Sequence, residues 1–156
     1  MINNLTSLFL SPKDWVLFGK NLILLMKIRN DWMNSEKKEP KAHSWFKAAA
    51  TLPDDQAIHR AIIAYASDFT LLGTSALPHG LSWMRGELNG ASLDHSIWFH
   101  RPAKADEWLL YATDSPWSGS GRGFNRGRIF NRARLMRMAA LNRDILIRSL
   151  LLQAGF

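Results

Sequence analysis

The sequence predicts an α+β fold in which one helix is covered by a single curved antiparallel sheet. Three observations carry this. A helical apolar period runs over 54–67, a period of two replaces it in the segments 92–100, 107–113 and 124–131, and the connections between those segments are short. Parallel neighbours need a dozen or more linking residues, so the strands pair antiparallel. One helix and one such sheet bury their apolar faces by forming two layers.

Taken in order, residues 1–33 are an apolar, irregularly patterned N-terminal segment to which no element is assigned. Residues 34–41 (NSEKKEPK) are charged, contain a proline and read as a linker. A short strand follows at 43–49, centred on Trp45 and Phe46. Pro53, Asp54 and Asp55 start the helix, because proline is tolerated in the first turn and acids suit the positive end of the dipole. Ile58, Ile62, Tyr65 and Phe69, with Ala61 and Ala66, form its apolar face, and it is expected to end near Asp68, ahead of Gly73, Pro78 and Gly80. Segment 92–100 alternates Leu93, His95, Ile97 and Phe99 against Ser92, Asp94, Ser96, Trp98 and His100. Strand 107–113 and the Gly/Ser/Pro loop 114–123 lead into the strand 124–131. Apolar positions after 135 are spaced more like a helix than a strand. The expected organisation is one domain over 34–133, flanked by the segment 1–33 and a divergent basic tail, 134–156.

Composition narrows the chemistry. With 156 residues, 47% of them hydrophobic, the chain is long enough for one cored domain. The absence of cysteine excludes a disulfide framework, a thiol nucleophile and thiolate-ligated metal. The net charge of +7 is confined to the last 37 residues, which hold eight arginines and a single acid, Asp144; residues 1–119 are neutral. Residues 15–28 form the most apolar stretch, too short to span a bilayer and interrupted by Lys20 and Lys27. With no signal-peptide pattern at the start, no transmembrane segment and a cytoplasmic location are expected.

Several constellations contain residue types that could form a site. His95 and His100 are five apart on a predicted strand, so they face opposite ways and cannot share an ion; neither a metal nor a cofactor is expected. Ser92, Asp94 and His95 have the residue types of a hydrolytic triad, but strict alternation puts His95 on the other face from Ser92. Arg122-Gly123-Phe124 opens like an RNA-binding strand and then departs from that pattern at Asn125 and Arg126. Trp98, Phe99, Trp108 and Tyr111 are expected to pack on the helix rather than stack bases, and a nucleic-acid partner is not favoured.

A longer set of motifs carries a resemblance. The runs YASDF (65–69), LPHG (77–80), ASLDHSIWFHRP (91–102) and EWLLY (107–111), then RGF (122–124) and RG (126–127), resemble the C-terminal half of the acyl-CoA thioesterase II family. The upstream EP (39–40) and WFKA (45–48) fit its approach, so the resemblance covers roughly 30–133. It implies a hotdog fold, a curved antiparallel sheet wrapped around one long helix, and a role in lipid metabolism: hydrolysis of fatty acyl-CoA to free fatty acid and CoA. Members carry two hotdog halves and hold an attacking water with an Asp, a Ser or Thr, and a Gln. By resemblance Asp68 is that aspartate, at the helix end, and Ser92 that hydroxyl. The family glutamine sits in a last-strand motif of V-A-Q-E-G type; the corresponding 135–148 has none, Asn142 and Arg143 lie nearest by count, and Gln153 falls about ten residues later. These departures imply a truncated or impaired relative, with a homo-oligomer replacing the missing half. The alternative is an inactive remnant, or a basic module for nucleic acid or anionic membrane.

Overall fold

A computed structural model describes residues 15–16, 24–28, 36–82, 85–131 and 145–153. Its element order is β1 (Trp15–Val16), β2 (Leu24–Ile28), β3 (Lys41–Ala48), α1 (Gln56–Ala76), β4 (Gly90–Trp98), β5 (Leu109–Gly119), β6 (Arg122–Asn131) and β7 (Ile145–Gln153). The strands form one antiparallel sheet in the order β1-β2-β3-β5-β6-β7-β4, and the helix packs against it. The core lies between these layers, with Phe46, Ile63, Leu71, Leu109, Tyr111 and Ile147 fully enclosed.

The helix starts where its chemistry says: the Asp55 side chain caps it by accepting from the Ala57 N–H at 2.8 Å. It does not stop at Asp68. It runs on to Ala76, because Thr70, Leu71, Thr74, Ser75 and Ala76 are buried against the sheet, and that burial outweighs the weak helix propensity of Thr and Gly. A short 3-10 turn over Leu77–His79, with Pro78 inside it and Gly80 in the left-handed region (φ 68°), ends it. The buried stripe is also rotated from the expected face. His59, Ile62, Ile63, Ala66, Ser67, Thr70, Leu71 and Thr74 face the sheet, while Ile58 and Tyr65 are exposed. This polar stripe is buried at low cost because several of its groups are paired: His59 Nδ1 accepts from the Ala105 N–H at 3.0 Å, and the Thr74 and Thr113 hydroxyls lie 2.9 Å apart.

The expected loop 114–123 is mostly strand. β5 continues through an irregularity between Asp114 and Trp117, where Pro116 is accommodated, and only Ser120 and Gly121 turn the chain. Both have positive φ (48° and 68°), the geometry of a two-residue hairpin turn matched to the twist of its strands.

Both flanking segments contribute to the same sheet. β2, from the unassigned segment 1–33, pairs with β3 and buries Met26. β7, from the tail where a helix was expected, pairs with β6 on one side and β4 on the other. Its run ILIRSLLLQ is nearly continuous in apolar residues, a pattern that cannot be told from a helix by periodicity alone; pairing on both sides decides for strand. No helix among the described residues is long and apolar enough to cross a membrane.

Candidate active site

Asp68 projects from the middle of α1 and is about half exposed, 56% of its side chain being accessible. The neighbouring strand β4 carries Ser92, whose Oγ donates to Asp68 Oδ1 at 2.7 Å. The two residues nominated from the sequence therefore meet, although they are 24 positions apart.

A third residue joins them that strict alternation had sent elsewhere. In β4, Ser92 pairs with Leu151 and Asp94 with Leu150, so Leu93 is an extra residue in a β-bulge. The bulge resets the phase of the strand. Leu93 and Asp94 both face outward, and Ser92 and His95 both face the helix. Beyond the bulge the expected alternation of His95 and Ile97 against Ser96 and Trp98 holds. His95 Nδ1 thus lies 3.7 Å from Asp68 Oδ1, and its Nε2 lies 2.7 Å from Ser67 Oγ. Ser67 Oγ is also 2.7 Å from the Ala64 carbonyl.

Behind this cluster the Tyr111 hydroxyl donates to the Ser67 carbonyl at 2.9 Å, fixing the helix turn that carries Asp68. Burial pushes the Tyr111 phenol well above its ordinary pKa, and the Asp68 charge adds to the rise, so it remains a neutral donor. The close approach of helix, ring and sheet is set by β6. A Cβ at Gly123 would lie 2.5 Å from Ser75 Cβ, and one at Gly127 would lie 2.7 Å from the Tyr111 hydroxyl. The glycines of the RGF and RG motifs are thus packing residues. Their arginine neighbours Arg122, Arg126 and Arg128 point outward, and Arg126 Nε donates to Asp114 Oδ2 on the next strand at 3.1 Å.

The remaining sequence candidates separate. His59 is buried in the core, His79 meets the Ser118 hydroxyl at 2.9 Å, and His100 is exposed beyond the end of β4. Among the described residues no group of three or more metal-ligating side chains converges. Tyr111 and Phe99 belong to the core that faces the helix, whereas Trp108 packs with Trp45, Leu110 and Phe130 in a separate cluster and Trp98 is exposed. Asn142 and Arg143 lie outside the described residues. Gln153 pairs with Gly90, two residues from the Ser92 partner Leu151.

The acyl-CoA thioesterase family model matches residues 24–149. Human acyl-coenzyme A thioesterase 8 is 42% identical over 93 residues, covering 59% of this chain and 28% of that protein. Acyl-CoA thioesterase 2 of Haemophilus influenzae is 37% identical over 101 residues, 65% of this chain and 35% of that protein. The chain thus spans about a third or less of the length of these curated relatives. Among solved structures, an acyl-CoA thioesterase II from Mycobacterium marinum superposes with a TM-score of 0.69 at 33% identity, covering 90% of this chain and 53% of that one. Zebra fish thioesterase superfamily member 2, at 15% identity and TM-score 0.57, shares the fold, covering 83% of this chain and 81% of its own. The fold is the hotdog arrangement. The family match takes in the helix, the bulged strand and most of the sheet around them, and this chain belongs to the acyl-CoA thioesterase family.

Proposed function

We propose that the chain hydrolyses fatty acyl-CoA to a free fatty acid and CoA, with Asp68 and Ser92 holding the attacking water. The observation that carries this reading is the 2.7 Å bond from Ser92 Oγ to Asp68 Oδ1 at a half-exposed helix position, in a chain of this family. The Ser92 hydroxyl occupies Oδ1 and leaves Oδ2 to take a proton. Water held there attacks the thioester carbonyl carbon while Asp68 accepts its proton; the tetrahedral intermediate then expels the CoA sulfur, which leaves as the thiol with that proton. Holding the water against the carbonyl supplies part of the rate by orientation alone. The substrate, a role in lipid metabolism and a cytoplasmic location belong to the same proposal.

Self-association is part of it as well. Among the described strands β4 is an edge, and it exposes Leu93 and Trp98, so a second copy is the expected cover for this side. Sedimentation at micromolar concentration should give a species larger than the monomer; a monomer would remove this part of the reading. The hydrolase reading is tested by trapping released CoA thiol from acyl-CoAs of several chain lengths. Release is expected, and Ser92→Ala should slow it by about tenfold or more. No release above the uncatalysed rate would refute it.

A further inference from the structure

We infer that His95 is a positioning residue for Asp68, its ring carrying a proton on Nδ1 directed at Asp68 Oδ1. Ser67 Oγ lies 2.7 Å from both the Ala64 carbonyl and His95 Nε2, and a single hydroxyl proton serves only one of them. When it goes to Ala64, Nε2 must donate to Ser67 Oγ. When it goes to Nε2, the neutral ring keeps its own proton on Nδ1. In the first case Nδ1 either carries a second proton or is a bare lone pair.

The bare lone pair is the unfavourable state. Nδ1 is sealed from solvent and has no hydrogen-bond partner, and the polar atom it faces is a carboxylate oxygen 3.7 Å away. A bare lone pair there would leave the buried Nδ1 unsatisfied and set it against the carboxylate charge. Every arrangement that satisfies the cluster therefore puts a proton on Nδ1, between His95 and Asp68. The separation is longer than a hydrogen bond, as polar contacts in substrate-free sites often are before they tighten around substrate.

The consequence is directional. Ser92 and His95 both approach Oδ1, and no donor among the described residues approaches Oδ2. With Ser92 and His95 both on the Oδ1 side, the other oxygen is left to face the water. The β-bulge at Leu93 is what makes this possible, since an unbulged strand would point His95 away from the helix.

This role rests on the hydrolase reading for its kinetic consequence only, so the test has a readout that needs no turnover. Ring nitrogen chemical shifts of His95, recorded at pH 8 on the full chain, should show Nδ1 protonated, and Asp68→Asn should move that signal. A bare Nδ1 overturns the inference whatever the enzyme does. In the kinetic arm, Asn in place of His95 puts an amide N–H near the Nδ1 position, whereas Gln puts one near Nε2. Thiol release by His95→Asn should stay within about fivefold of wild type, while His95→Gln and His95→Phe lose roughly 100-fold in kcat with KM little changed, the cost of a misplaced catalytic group. Equal losses in the Asn and Gln variants, or full activity of the Phe variant, overturn the positioning role. A wild-type chain that releases no thiol refutes the hydrolase reading instead, and the ring shifts still decide where the proton sits.

Discussion

Gly127→Ala is predicted to destabilise the fold, and the size of the effect follows from what the new methyl group meets. Built on the β6 backbone, it lands on the edge of the Tyr111 ring, 2.7 Å from the hydroxyl and 2.8 Å from Cζ. Tyr111 cannot simply step aside. It is fully buried, its ring meets Phe46 edge-on at 6.4 Å, and its hydroxyl is bonded to the Ser67 carbonyl. Overpacking a core costs about 1–3 kcal/mol, and replacing glycine by alanine returns up to about 1 kcal/mol through the unfolded chain, which leaves a net loss of roughly 1–2 kcal/mol. At ordinary urea slopes this lowers the unfolding midpoint by about 1 M or somewhat less. Gly73→Ala supplies the contrast. Nothing lies within 4 Å of its added methyl, and the site is inside α1, so it should stabilise by about 0.5–1 kcal/mol. If Gly127→Ala proves as stable as wild type, the packing of ring against glycine is not what sets the distance between helix and sheet.

Further outcomes follow from the buried polar groups. Asn125 is completely buried in β6, and among the described residues neither of its amide atoms has a partner; Asn125→Val should raise stability by about 1–3 kcal/mol in urea titration, and a loss would mean the amide is satisfied. Tyr111 has a raised phenol pKa in the folded state, so its contribution is complete below the unfolded value of about 10 and is lost as pH rises above it. The stability difference between wild type and Tyr111→Phe should therefore shrink from pH 9 to 11, and a difference that does not change with pH contradicts the assigned cause.

Much of the fold was legible because it rests on local signals. Asp55 capping the helix, the alternation from His95 to Trp98 and the apolar strand around Leu110 all act within a few residues of themselves. Where the structure departs from these local signals, tertiary partners decide the outcome. Helix α1 passes Asp68 because Thr70 and Thr74 find a sheet to lie on. β7 is a strand because β4 and β6 flank it, which its own apolar run does not reveal. The site was legible in part. Asp68 and Ser92 were reached through the motifs around them, and they do meet. His95 was within the same run and was sent to the wrong face, since a bulge exists only relative to the partner strand: the extra residue at Leu93 becomes visible once Leu150 and Leu151 are paired against it.

The central claim is that Asp68 takes a proton from water at a thioester. The most direct measurement is the initial rate of CoA release by the purified chain compared with Asp68→Asn, which keeps an oxygen to accept the Ser92 hydrogen bond and removes the base. The account predicts that wild type releases thiol and that the variant, folded to the same degree by circular dichroism, is slower by about 100-fold or more. Equal rates in the two proteins would contradict it.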